Sequence, residues 1–158
     1  MSAPGEPVGF ARLWREPPLA LAFGFGLGLV PKAPGTAGTL LGVGLYLLLM
    51  DLPLAARAGI VLALFGLGIW VCDIAARRLG VHDHQGIVFD EVVGYLIAML
   101  AAPVGWRWAL AGFVLFRLFD IWKPWPIRLV DRRVKGGLGI MLDDALAGAL
   151  AAVILSFA

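Results

Sequence analysis

Leu45-Tyr46-Leu47-Leu48-Leu49-Met50 offers no polar face. A run that does not alternate is neither a half-buried strand nor a barrel strand facing lipid, because both alternate with period two. Long apolar segments of this kind recur along the 158 residues, and 61% of the chain is hydrophobic against 15% charged. A soluble domain carries roughly 45–50% apolar and about 25% charged residues, so the excess has no place in a water-soluble globule. Mean hydropathy is +0.90. Helices and closed barrels are the only backbones that span lipid. The sequence therefore predicts an all-α fold: a polytopic membrane helical bundle.

Two parts are expected, an N-terminal arm over 1–18, mobile or interfacial, and one membrane-embedded domain over 19–158. The first fourteen residues are rich in Pro and Gly and carry no long apolar core, so no cleavable signal peptide is expected. Leu19–Val30 is apolar but holds Gly24, Gly26 and Gly28. At about 1.5 Å per residue it covers roughly 18 Å of a ~30 Å hydrocarbon core, which predicts a half-inserted or tilted helix. Thr36 is expected to cap a helix running to Met50. Further helices are expected over Leu54–Arg78, from the Asp83–Glu91 stretch to about Ala102, and over Trp106–Trp122. Ile127–Lys135 has the spacing of an amphipathic interfacial helix. Gly136–Gly139 reads as a flexible joint, after which Asp143-Asp144 opens the last span.

If every long apolar run crosses, loops 31–36, 73–90 and 120–143 emerge on one face. Lys32, Arg77, Arg78, Lys123, Arg128, Arg132, Arg133 and Lys135 lie there, against Arg57 and Arg107 on the other. The positive-inside rule makes the charged face cytoplasmic. The single cysteine, Cys72, forms no internal disulfide and reads as packing. Basic residues do not interleave with aromatics in a polar context, which argues against nucleic-acid binding.

Carboxylates at a bilayer edge are costly unless paired, hydrated or bound to a metal. Asp90 and Glu91 open one apolar run, and Asp143 and Asp144 another, on the same predicted face. Either pair alone is explained by compensation of a helix dipole. Together, with Asp83 as a further ligand, they predict a shared hard-cation site, and oxygen donors suit Mg²⁺. Lys32, beside a helix start and the amides of Gly35 and Thr36, is an anion seat. Lys123 and Arg117 would act likewise, or merely snorkel, or pair with Asp120. Arg128, Arg132, Arg133 and Lys135 read as a basic patch facing headgroups, and His82 and His84 as structural.

Four ordered motifs then carry a resemblance. They are Gly26-x-Gly28-x-x-Pro31-Lys32-Ala33-Pro34-Gly35-Thr36-x-Gly38-Thr39, His82-Asp83-His84-x-x-Ile87-Val88-x-Asp90-Glu91-x-x-Gly94, Phe116-Arg117-x-x-Asp120-x-Trp122-Lys123-Pro124-Trp125-Pro126-Ile127, and Gly136-Gly137-x-Gly139-Ile140-Met141-x-Asp143-Asp144-x-x-Ala147-Gly148. The chain resembles the phosphatidylglycerophosphatase A family from about Leu21 onward. The resemblance implies a Mg²⁺-dependent lipid phosphatase of the bacterial inner membrane, converting phosphatidylglycerophosphate to phosphatidylglycerol and phosphate.

On that reading Asp83, Asp90, Glu91, Asp143 and Asp144 supply the metal ligands. Asp90, Glu91, Asp144 and Lys32 are catalytic, with Glu91 or Asp144 as general base, or Asp90 as a nucleophile. Lys32, Gly35, Thr36, Arg117, Lys123 and Arg128 bind substrate. Asp73 lies outside the motifs and outside the site. The rival classes are an ion-coupled carrier and a lipid-binding scaffold. Against the carrier stands the expected position of the charges at span ends, with none in mid-span.

Overall fold

A computed structural model describes residues 7–158, and among them the regular elements are all helical. Helix α1 (Phe10–Arg15) and helix α2 (Pro17–Ala22) open the chain. Pro17 and Pro18 fit the start of α2, where a missing N–H costs nothing. The expected arm is packed in this part. Leu13 is buried, and Glu16 pairs with Arg12 and, at 2.7 Å, with Arg78. Leu19–Val30 is not one helix. Gly24, Phe25 and Gly26 take φ of 55°, 58° and 108°, which turns the chain through a 3-10 segment, Gly24–Leu29.

Helix α3 (Pro34–Leu49) begins one turn earlier than a Thr36 cap would allow. Pro34 supplies the starting φ, Ala33 precedes the helix in the left-handed region, and Thr36 lies inside the first turn. Helix α4 (Leu54–Leu79) spans about 39 Å at 1.5 Å per residue. Gly80, at φ 71°, ends it by donating its N–H to the Ala76 and Arg77 carbonyls.

Helix α5 (Phe89–Met99) corrects an expectation. Its 11 residues cover about 16 Å, half a hydrocarbon core. Nine of them are buried, because α3, α4, helix α6 (Trp106–Trp122) and helix α8 (Gly136–Leu155) surround it. Helix α7 (Ile127–Arg133) lies against α8, pinned by the fully buried Ile127.

The joint expected over Gly136–Gly139 belongs to α8. Its glycines allow close packing: a Cβ on Gly137 would strike the Ile69 carbonyl of α4, and the Gly137 N–H reaches Asp73 Oδ1 at 3.1 Å. Asp143 and Asp144 therefore sit two turns inside the helix and do not open it. The helix dipole does not account for them, and the expectation of no charge in mid-span does not hold for α8.

Among the described residues two helices, α4 and α8, are long and apolar enough to cross a membrane. The outward faces are apolar as well: Leu48, Leu62 and Ile121 are 80%, 73% and 72% exposed.

Candidate active site

Asp90 and Glu91 form the first turn of α5. The Val88 N–H donates to the Ala22 carbonyl at 2.8 Å, which fixes that turn against the end of α2. Gly94 lies one turn below Asp90, and Gly148 one turn below Asp144. A Cβ on Gly94 would fall 2.7 Å from the Asp144 carbonyl oxygen, and one on Gly148 would strike the Gly94 carbonyl. With only hydrogens at these positions α5 and α8 meet backbone to backbone, as small residues permit. The crossing brings one carboxylate oxygen each of Asp90, Glu91 and Asp144 within 4.8 Å of one another.

Each of the three residues also has an oxygen without a partner. Asp90 Oδ1, Glu91 Oε2 and Asp144 Oδ2 are buried with no hydrogen bond among the described residues, and so is Arg117 Nε. Asp90 and Asp144 are 7% and 3% exposed. Buried polar atoms are ordinarily satisfied, so three orphan acceptors and one orphan donor at one place suit a ligand set for a hard cation beside a small anion. Gly35, at the start of α3, closes this corner: a Cβ there would fall 2.5 Å from Glu91 Oε1 and 3.1 Å from Arg117 Nη1.

The pocket around them measures about 350 Å³. Six carboxylates line it, those of Asp83, Asp90, Glu91, Asp120, Asp143 and Asp144, against the two cations Arg117 and Lys123. The cations are held in place. Arg117 pairs with Asp120 one turn away in α6. Lys123 follows α6 in a left-handed conformation, and its Nζ reaches Asp143 Oδ2 at 2.7 Å and Asp131 Oδ1 at 3.2 Å. Partial burial works against this ammonium, but the bonds and charges of Asp143 and Asp131 outweigh it and lift its pKa above the ordinary lysine value. His84 also lines the pocket, and its Nδ1 accepts the Gly86 N–H at 3.0 Å. That bond keeps a lone pair on Nδ1, so the neutral ring carries its proton on Nε2.

Residues 20–158 match the family described as Phosphatidylglycerophosphatase A. The chain belongs to that family. A relative named Phosphatidylglycerophosphatase A from Escherichia coli is 47% identical over 138 residues, covering 87% of this chain and 80% of its own length. The Haemophilus influenzae protein of the same name is 49% identical, with 87% and 85% covered. A Bacteroides thetaiotaomicron protein, provisionally named a phosphatidylinositol-3-phosphatase, is 40% identical, with 89% and 92% covered. No solved structure matches.

Against this phosphatidylglycerophosphatase A background, the residues singled out from sequence separate into groups. Asp90, Glu91 and Asp144 converge. Gly35, Asp83, Arg117, Lys123 and Asp143 line the same pocket, but Asp143 is tied to Lys123 and Asp83 lies outside the three-carboxylate group. Lys32 is exposed and, like Thr36, is not among the lining residues; Arg128 lines a different concavity. Asp120 and His84 join the pocket without having been chosen for it. The signal for Asp120 was its i, i+3 spacing from Arg117 inside the third motif. For His84 it was the neighbouring Gly86, whose amide the ring meets.

Proposed function

We propose that this chain hydrolyses phosphatidylglycerophosphate to phosphatidylglycerol and phosphate during phospholipid synthesis. On this reading it is a Mg²⁺-dependent, multi-pass protein of the bacterial inner membrane whose pocket faces the cytoplasm. The observation that carries the reading is the meeting of Asp90, Glu91 and Asp144, each with a buried unpartnered oxygen, beside Arg117 and Lys123, in a chain of this family. The names of its relatives specify phosphate monoesters on a headgroup that a phosphodiester joins to diacylglycerol.

Asp90, Glu91 and Asp144 would hold the cation. One carboxylate oxygen from each residue lies within 4.8 Å of the others, and oxygen donors of this hard type are what Mg²⁺ takes. When bound, Mg²⁺ supplies a Lewis acid for the phosphoryl oxygens and lowers the pKa of a water. Lys123 keeps its charge and, anchored on Asp143 and Asp131, presents it to the phosphoryl group. The orphan Arg117 Nε is a donor that a phosphoryl oxygen satisfies. Because His84 Nδ1 is engaged by Gly86, the proton of the attacking water would go to whichever of Glu91 and Asp144 keeps an oxygen free of the cation.

The membrane placement rests on the two long apolar helices and on the apolar outward faces. Lys123 and the α7 arginines share the pocket's end of the molecule, as the positive-inside rule requires of a cytoplasmic face. A lipid substrate leaves the bilayer at a cost of about 0.8 kcal/mol per exposed CH₂, so the pocket opens at headgroup depth.

The test is phosphate release by the purified chain from phosphatidylglycerophosphate, with phosphatidylinositol 3-phosphate as comparison. Release with Mg²⁺, loss in EDTA and recovery with Mg²⁺ or Mn²⁺ are expected, with Ca²⁺ a poor substitute. Undiminished turnover in excess chelator eliminates the metal. Absence of phosphate release, with solute movement in liposomes, favours the carrier class.

A further inference from the structure

Beside the acidic pocket lies a second concavity of about 440 Å³, lined by Trp122, Pro124, Trp125, Arg128, Leu129 and Arg132. The two are neighbours through the backbone: Lys123 lines the first, and its chain neighbours Trp122 and Pro124 line the second. Their charges are opposite in kind. Six carboxylates line the pocket, and none lines the groove.

The structure divides the basic run of α7. Arg128 and Arg132, one turn apart on one side of the helix, face the groove; Arg133 and Lys135 do not line it. No carboxylate pairs with Arg128 or Arg132 among the described residues, and Arg128 Nη2 reaches only the Trp122 carbonyl, at 3.5 Å. Two adjacent guanidinium groups without an acid are a fork for phosphate oxygens. Trp122 and Trp125 are 62% and 79% exposed, and amphipathic rings of this type settle at headgroup level.

We propose that this groove holds the phosphodiester of the substrate lipid. Arg128 and Arg132 pair with its two non-bridging oxygens, and the glycerol beyond it crosses Lys123 to place the monoester among the carboxylates. Trp122, Trp125 and Leu129 support the first carbons of the acyl chains. The inference rests on the lipid-monoesterase reading above. It makes the groove the element that distinguishes a two-phosphate headgroup from a lipid whose only phosphate is the monoester.

The test uses the full chain in nonionic detergent micelles, where no anionic surface gathers lipid. Binding of short-chain phosphatidylglycerol, which keeps the diester and lacks the monoester, is followed by tryptophan fluorescence. Wild type binds. R128Q/R132Q weakens binding about tenfold or more, and R133Q/K135Q leaves it within about twofold. In the same micelles R128Q/R132Q raises KM for phosphatidylglycerophosphate about tenfold with little change in kcat, the signature of binding lost equally from ground and transition states. Equal loss in both double variants, or wild-type binding by R128Q/R132Q, overturns the groove assignment. A wild-type chain that binds phosphatidylglycerol through these arginines but releases no phosphate overturns the proposed reaction and leaves the groove standing.

Discussion

The two acidic pairs have different physical situations. Asp90 and Glu91 occupy the first turn of α5, where a helix start offsets part of the cost of a carboxylate. Asp143 and Asp144 lie two turns inside α8 and receive no such help. Within the second pair the members diverge again: Asp143 bonds Lys123, whereas Asp144 Oδ2 is buried without a partner. The helix start offsets part of the cost of Asp90 and Glu91, although each also buries an oxygen without a partner. Asp144, nearly fully buried in mid-helix, has no such offset and is the residue on which the proposed cation site depends most.

Asp144→Asn should therefore have the largest effect. Losing a metal ligand removes several kcal/mol of charge stabilisation, a fall in kcat of about 10³-fold or more. Circular dichroism should be unchanged. Turnover near wild type at saturating Mg²⁺ would make Asp144 a structural curiosity and break the comparison.

Gly148→Val attacks the crossing itself. Its Cβ meets the Gly94 carbonyl, so α5 and α8 must separate. A displacement of about 1 Å at the reacting groups costs about 10²-fold. Activity should fall by that order in protein that remains helical, and wild-type kinetics would show that the close approach does not set the site.

Asp143→Asn should cost less, about 10- to 100-fold, because Asp143 acts through Lys123. Lys123 retains Asp131, so Asp131→Asn added to Asp143→Asn should deepen the defect more than Asp131→Asn does alone. An Asp143 variant as inactive as the Asp144 variant would erase the distinction within the pair. Lys32→Gln, exposed and outside the pocket, should change kcat/KM by about twofold or less.

The sequence made the helical class legible, because non-alternating apolar runs admit no other answer in lipid. Trp106–Trp122 was legible to the residue, being framed by Gly105 and by Lys123-Pro124. The shortness of α5 was not, since a run of apolar residues looks the same whether lipid or other helices surround it. Gly136–Gly139 misled for a related reason: glycine serves a flexible joint and a close helix contact equally, and only the Ile69 carbonyl beside it decides. That misreading placed Asp143 and Asp144 at a helix start and lent them a dipole they do not feel. Convergence of Asp90 and Glu91 with Asp144 was anticipated as a shared cation site. The exclusion of Lys32 and Thr36 from the lining, and the turning of Arg128 to a separate groove, depend on tertiary packing that no spacing encodes.

Mn²⁺ binding to the purified chain, read by electron paramagnetic resonance without substrate, tests the central claim most directly. The wild-type chain should bind the ion at a site that Mg²⁺ competes for. Asp144→Asn and Asp90→Asn should each weaken that binding by about tenfold or more, and Asp143→Asn should weaken it less. Equal Mn²⁺ affinity in wild type and a combined Asp90→Asn, Glu91→Gln, Asp144→Asn variant would show that these three carboxylates do not hold the cation.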